Sequence, residues 1–190
     1  MALLFWPSAS ASESTINRCL KYYPQVIREA RFHIGQDAPA HLFMGQIEQE
    51  SRCNQSVTAF DGGMGLGQFM PETAEWIQKR ETALQDISMS PQPYDPRWSI
   101  RALILYDRWL IGQVACHEWH YAYRSYNGGV GRMNQEIKKA GTCGYAEVNA
   151  ACKRKVIKTK WGLLDMCRVN IEYPVQIQTA GKKYQAVSVR

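Results

Sequence analysis

Residues Gln46 to Ala74 read QIEQESRCNQSVTAFDGGMGLGQFMPETA, and they restrict the fold more than any other stretch of the chain. A helical pattern runs into Ser51, glycines follow at 62, 63, 65 and 67, and Pro71 opens a new helix with Glu72 and Glu75 behind it. Glycines so closely spaced permit positive φ and close backbone approach, and they interrupt any helix. The chain therefore turns here, between two helices that must bury their apolar faces elsewhere. No Lys-Ser/Thr pair follows the glycines and no parallel-strand pattern precedes them, which argues against a phosphate cradle. A tight turn or small β-hairpin forming one lip of a cleft fits better.

The helix before the loop is expected from about Ala38 to Ser51, with Asp37 as N-cap and Pro39 near its first position. Phe43, Ile47 and Glu50 fall at i, i+4 and i+7, so Glu50 continues the apolar stripe. Desolvation in that stripe penalises the charged form, and the negative end of the helix dipole does the same, so a raised pKa and a role as proton donor are expected. Glu48 lies on another side, nearer Met44, and is expected to meet solvent. Periodicity alone leaves a second reading of Glu50 open, a frayed helix end with an exposed carboxylate.

The remaining pattern is mainly α. Ser12 to Gly35 reads as helical with Pro24 marking a break or second start. Pro71 to about Thr82 follows the loop, with Ala74, Ile77 and Trp76 inward or at the rim, and Ser88 to Pro96 is proline-punctuated. Trp98 to Ala115 is expected to be the central buried helix. A further helix stops at Ser125-Tyr126-Asn127-Gly128-Gly129. Short helices are expected around Gly131 to Lys139, Tyr145 to Lys158 and Leu163 to Gln178. The expected organisation is one domain over residues 12–178, a polar tail over 179–190, and a flexible end or secretory-signal remnant over 1–11 with a cut after Ala11.

At 190 residues the chain is long enough for one core, and its net charge of +6 favours anionic polymers. The basic run Lys153, Arg154, Lys155, Lys158 and Lys160 lacks interleaved aromatics and reads as a solvated helix face, so nucleic acid is not the expected partner. Six cysteines at 19, 53, 116, 143, 152 and 167 contain no CxxC and no zinc spacing, and they point to an oxidising compartment. His117, Glu118 and His120 form HExH, which does not stack two imidazoles on one helix face, so they are expected at the surface or in packing. No run reaches the ~20 apolar residues of a membrane span. No metal cluster or nucleotide motif implies a cofactor.

Three ordered blocks carry a resemblance. Glu50-Ser51, Gly65-Leu66-Gly67-Gln68-Phe69-Met70-Pro71 and Thr73-Ala74 form the first; Asp95-Pro96 with Ser99-Ile100 and Ala102 the second; Ser125 to Gly129 the third. A weaker fourth is Glu172-Tyr173 with Val175. Together, over roughly Ala38 to Val175, they resemble the soluble lytic transglycosylase family, whose lysozyme-like fold cleaves the glycan strands of peptidoglycan. The chain departs from that pattern at Gly67, where Met is usual, Ser99, where Asn is usual, and Ser125, where Ala is usual.

The resemblance implies that Glu50 is the catalytic acid, that it protonates the oxygen between N-acetylmuramic acid and N-acetylglucosamine, and that it then takes the proton of the muramic C6 hydroxyl as a 1,6-anhydro end forms. It implies substrate-lining roles for Ser51, Gln68, Met70, Tyr126, Asn127 and Tyr173. Read without it, Gln68, Tyr126 and Asn127 are a loop amide, an amphipathic core tyrosine and a turn asparagine. Two other functions compete: a lysozyme-type hydrolase with Asp61 as second carboxylate, although a turn Asp bonding its own loop suits Asp61 better, and a catalytically silent wall-binding or virion-structural module. The expected partner is peptidoglycan, in an exported, periplasmic or wall-facing setting, with assembly into a secretion machine or phage particle as further contexts.

Overall fold

The structure is a computed structural model describing residues 9–159 and 162–185. The described residues are mainly helical, as expected, and form two compact units. One comprises the chain up to Tyr106 together with the chain from Ile177 onward; the other is Asp107–Gln176. The leader expected over residues 1–11 lies largely outside the described residues. No helix among the described residues is long and apolar enough to cross a membrane.

In the first unit, α1 (Ala9–Leu20) and α2 (Tyr23–His33) meet at a turn, with Pro24 in the first turn of α2 where its missing N–H costs nothing. α3 (Ala40–Ser51) is capped at Pro39, not at Asp37, and no side chain bonds its first amides. Phe43, Met44 and Ile47 are wholly buried. α4 (Pro71–Arg80) follows the glycine loop, and its Gln78 accepts from the Trp98 indole at 2.6 Å. α5 (Pro96–Gln113) starts as its residues dictate: the Asp95 carboxylate accepts the Arg97 amide at 2.8 Å and Pro96 takes the first helical position. Arg101 on α5 reaches the buried Glu29 of α2 at 2.8 Å.

The last helix, α9 (Met166–Gln185), does not stop at Gln178. Ala180 and Tyr184 are buried in the segment expected to be a polar tail, and the Tyr184 ring lies 5.6 Å from that of Tyr23. Gly45 on α3 makes this contact close: a Cβ there would overlap the Ile177 carbonyl and the Gly181 amide. Glu48 is corrected too. Its side chain is only 12% exposed, and it accepts from Lys183 and Tyr184 instead of meeting solvent. Burial and that hydrogen bond raise the Tyr184 phenol pKa.

The second unit contains the later part of α5, α6 (Trp119–Gly128), α7 (Val130–Ala140), α8 (Tyr145–Ala150) and the hairpin β1 (Val156–Thr159) with β2 (Gly162–Asp165). Val114, Tyr121, Met133, Ile137 and Val148 form its buried cluster. The helix expected from Tyr145 to Lys158 ends at Ala150. Cys152 is bonded to Cys167, which brings the segments on either side together, and the β-branched Val156, Ile157 and Thr159 pair antiparallel from Val156↔Asp165 to Thr159↔Gly162. The basic run is thus solvated but not helical: Lys153, Arg154 and Lys155 precede β1 and Lys158 lies on it, while Lys160 is outside the described residues. Cys19–Cys53 and Cys116–Cys143 complete three disulfides. His117 is exposed with Nδ1 2.9 Å from the Ile111 carbonyl, and His120 packs on Tyr121 and Tyr145.

Candidate active site

Glu50 sits in the last turn of α3, and its helical phase with Phe43 and Ile47 translates into burial: the two apolar residues are fully covered and Glu50 is 9% exposed. The exposed, frayed carboxylate is thereby ruled out. The helix end is held from several sides. Ser51 donates its hydroxyl to the Ile47 carbonyl at 3.1 Å. Arg52 and Cys53 take left-handed φ of 51° and 58°, Cys53 is bonded to Cys19, and the Arg52 carbonyl accepts from Arg18 at 3.0 Å. A side chain on such an end keeps a fixed position.

The glycine-rich segment is a tight turn with two isolated antiparallel bridges, Thr58↔Met64 and Met64↔Phe69, as expected of a tight turn or small hairpin. Gly65 has φ of 67° and lies directly against the Pro93 carbonyl, so no other residue fits there. Gln68 is buried with φ of 50°, and its side-chain amide donates to the Gly65 carbonyl at 2.7 Å. That bond makes Gln68 a strut of the turn and leaves its Oε1 as the group free of this duty. Asp61 accepts the Gly63 amide at 3.4 Å, the loop role expected of it. Met70 is 38% exposed in the extended residue before α4.

Two of the departures from the family pattern meet. The Gly67 amide donates to the fully buried Ser99 hydroxyl at 3.1 Å. Sequence reading marked both positions separately; the pairing across 32 residues needed the fold.

In the second unit, Tyr126 and Asn127 lie in the last turn of α6, both half-buried. Asn127 donates its side-chain amide to Asn170 at 2.6 Å, and Gly128 packs against the same Asn170. Tyr173 is buried on α9. Glu50, Ser51, Gln68 and Met70 therefore belong to one unit and Tyr126, Asn127 and Tyr173 to the other.

The model of the transglycosylase SLT domain family matches residues 35–149. The chain belongs to this family. The SLT domain is lysozyme-like and implies lytic transglycosylase-type activity on peptidoglycan, so the mainly helical architecture and the substrate class are those of the family. The match spans α3, the glycine turn, α4, α5, α6 and α7; Tyr173 and the hairpin lie beyond it. A comparison with curated proteins finds no match. The three disulfides fit an SLT protein that acts outside the cytoplasm.

Proposed function

We propose that the protein cleaves the β-1,4 bond between N-acetylmuramic acid and N-acetylglucosamine as a lytic transglycosylase, with Glu50 as the acid. The observation that carries this reading is the burial of Glu50 at the pinned end of α3, in phase with Phe43 and Ile47. A carboxyl withdrawn from water and fixed in position is suited to deliver a proton to the glycosidic oxygen as the C1–O bond breaks. The resulting carboxylate then accepts the muramic C6 hydroxyl proton as that oxygen bonds C1, which closes the 1,6-anhydro ring without adding water. The substrate N-acetyl group stabilises the electron-poor C1, so no protein nucleophile is required.

Ser51, Gln68, Met70, Tyr126, Asn127 and Tyr173 are proposed to line the glycan. Asp61 is engaged with the Gly63 amide, which favours a loop role for it over positioning a hydrolytic water. The proposed setting is exported, periplasmic or wall-facing, with assembly into a secretion machine or a phage particle as further contexts. Mass spectrometry of digested peptidoglycan tests the chemistry: the parent is expected to leave 1,6-anhydromuramic ends, and Glu50→Gln to lower the rate by about 10²–10⁴-fold. Reducing muramic ends would replace this reading with hydrolysis, and a fully active Glu50→Gln would remove Glu50 from the chemistry.

A further inference from the structure

A small, solvent-open pocket lies at the junction of α6 and α7, lined by Arg124, Gly128, Gly129, Arg132, Glu136 and Asn170 among others. Both oxygens of the buried Glu136 are taken: Oε2 accepts from Arg124 at 2.6 Å and Oε1 from Arg132 at 2.9 Å. Two guanidinium groups thus share one carboxylate, and one positive charge is left over. Arg124 has a side chain only 1% exposed, and its Nη1 donates to Asn149 at 2.9 Å. Its Nε has no acceptor among the described residues. A buried charged donor without an acceptor is costly, which makes an oxygen ligand the natural complement. The 11-residue α7 also begins here, at Val130; its N-cap is Gly129, and no side chain caps it among the described residues.

We propose that this pocket binds a carboxylate of the substrate, held by Arg124, Arg132 and the first amides of α7. The proposal rests on the peptidoglycan reading, since that polymer presents carboxylates beside its glycan, on unsubstituted muramic lactyl groups and on stem peptides. The site is tied to Asn127, a proposed glycan-lining residue, because Asn170 in the pocket wall accepts the Asn127 side-chain amide.

Titration of the intact protein followed by ¹⁵N NMR separates the sources. N-acetylmuramic acid offers the lactyl carboxylate; N-acetylmuramyl-L-alanyl-D-isoglutamine carries its carboxylate on the peptide; the methyl ester of N-acetylmuramic acid has none. Saturable shifts of the Arg124 Nε–H and the Gly129 amide are expected with one or both acids, and binding of the ester is expected to be at least about tenfold weaker. Arg132→Gln is expected to weaken acid binding about tenfold. Equal binding of acid and ester, absence of these shifts, or unaltered affinity in a folded Arg132→Gln protein would overturn the proposal; should that variant not fold, the acid–ester contrast in the parent decides. The contrast does not depend on bond cleavage, so reducing ends in the digest would sink the transglycosylase chemistry and leave the carboxylate site standing.

Discussion

Tyr184 donates its phenol hydroxyl to one oxygen of Glu48 while the neighbouring Lys183 holds the other, both at 2.5 Å. Glu48 stands two residues before Glu50 on α3, so the contact anchors the helix that carries the proposed acid. Tyr184→Phe removes a donor from a mostly buried carboxylate and is expected to cost about 1–3 kcal/mol in urea unfolding. Activity per folded molecule is expected to stay near the parent value. Glu50→Gln is expected to show the opposite pattern, with activity lost and the unfolding midpoint little changed.

Asp95 caps α5 through the Arg97 amide and pairs with the Arg97 guanidinium at 2.8 Å. Asp95→Ala is expected to destabilise by about 1 kcal/mol. The hydrogen bond from Arg97, against a smaller opposing effect of burial, lowers the Asp95 pKa. A folded-state pKa below the unfolded one means that the stabilisation is complete above the unfolded pKa of about 3.9 and fades as the pH falls through the folded value. The stability difference between parent and Asp95→Ala should therefore hold at neutral pH and shrink below about pH 4.

The Tyr123 hydroxyl is buried without an acceptor among the described residues. Burial, then the charge of Asp107, raises its pKa, so it stays neutral. Tyr123→Phe removes the unsatisfied group and keeps the ring, and the expected result is a gain of up to about 1 kcal/mol. A substantial fall in melting temperature would mean the hydroxyl has an unrecognised partner.

Gly65→Ala places a methyl group into the Pro93 carbonyl at positive φ. The turn can accept it only by moving, which would shift Gln68 as well, since Gln68 is bonded to the Gly65 carbonyl. A loss of about 2 kcal/mol or more is expected, together with reduced turnover of peptidoglycan.

Reduction of Cys152–Cys167 frees a 15-residue separation that contains the hairpin. The Cys152→Ser, Cys167→Ser double variant is expected to lose about 3 kcal/mol. Far-UV circular dichroism should show that most helix survives, because the hairpin is the element that depends on this bond.

Local signals were readable wherever burial and chain punctuation coincide. The 3.6-residue phase of Phe43, Ile47 and Glu50 put Glu50 on the covered face of its helix, because a helix face records its environment in its own sequence, but it did not separate Glu50 from Glu48, which is also mostly covered. Pro71 and Asn127-Gly128-Gly129 marked helix boundaries through backbone chemistry that acts within a few residues, whereas α5 starts at Pro96, two residues before the expected Trp98. Glu48 was misplaced because its partners lie 135 and 136 residues further on. The hairpin escaped notice since a disulfide supplies its closure while its lysines read as a solvated helix. The last turns of α9 looked like a tail because Lys182 and Lys183 outweigh the buried Ala180 and Tyr184 in any local average.

The contact of α3 with the final turns of α9 also bears on the order of events during folding. The Asp107–Gln176 unit is contiguous and can close from its own stretch of chain. The unit holding Glu50 is discontinuous, and Gly45 and Glu48 have to wait for Ile177, Gly181, Lys183 and Tyr184. Until those distant residues arrive, α3 lacks its last neighbours, so the helix carrying the proposed acid is completed by a contact that closes across more than 130 residues of chain.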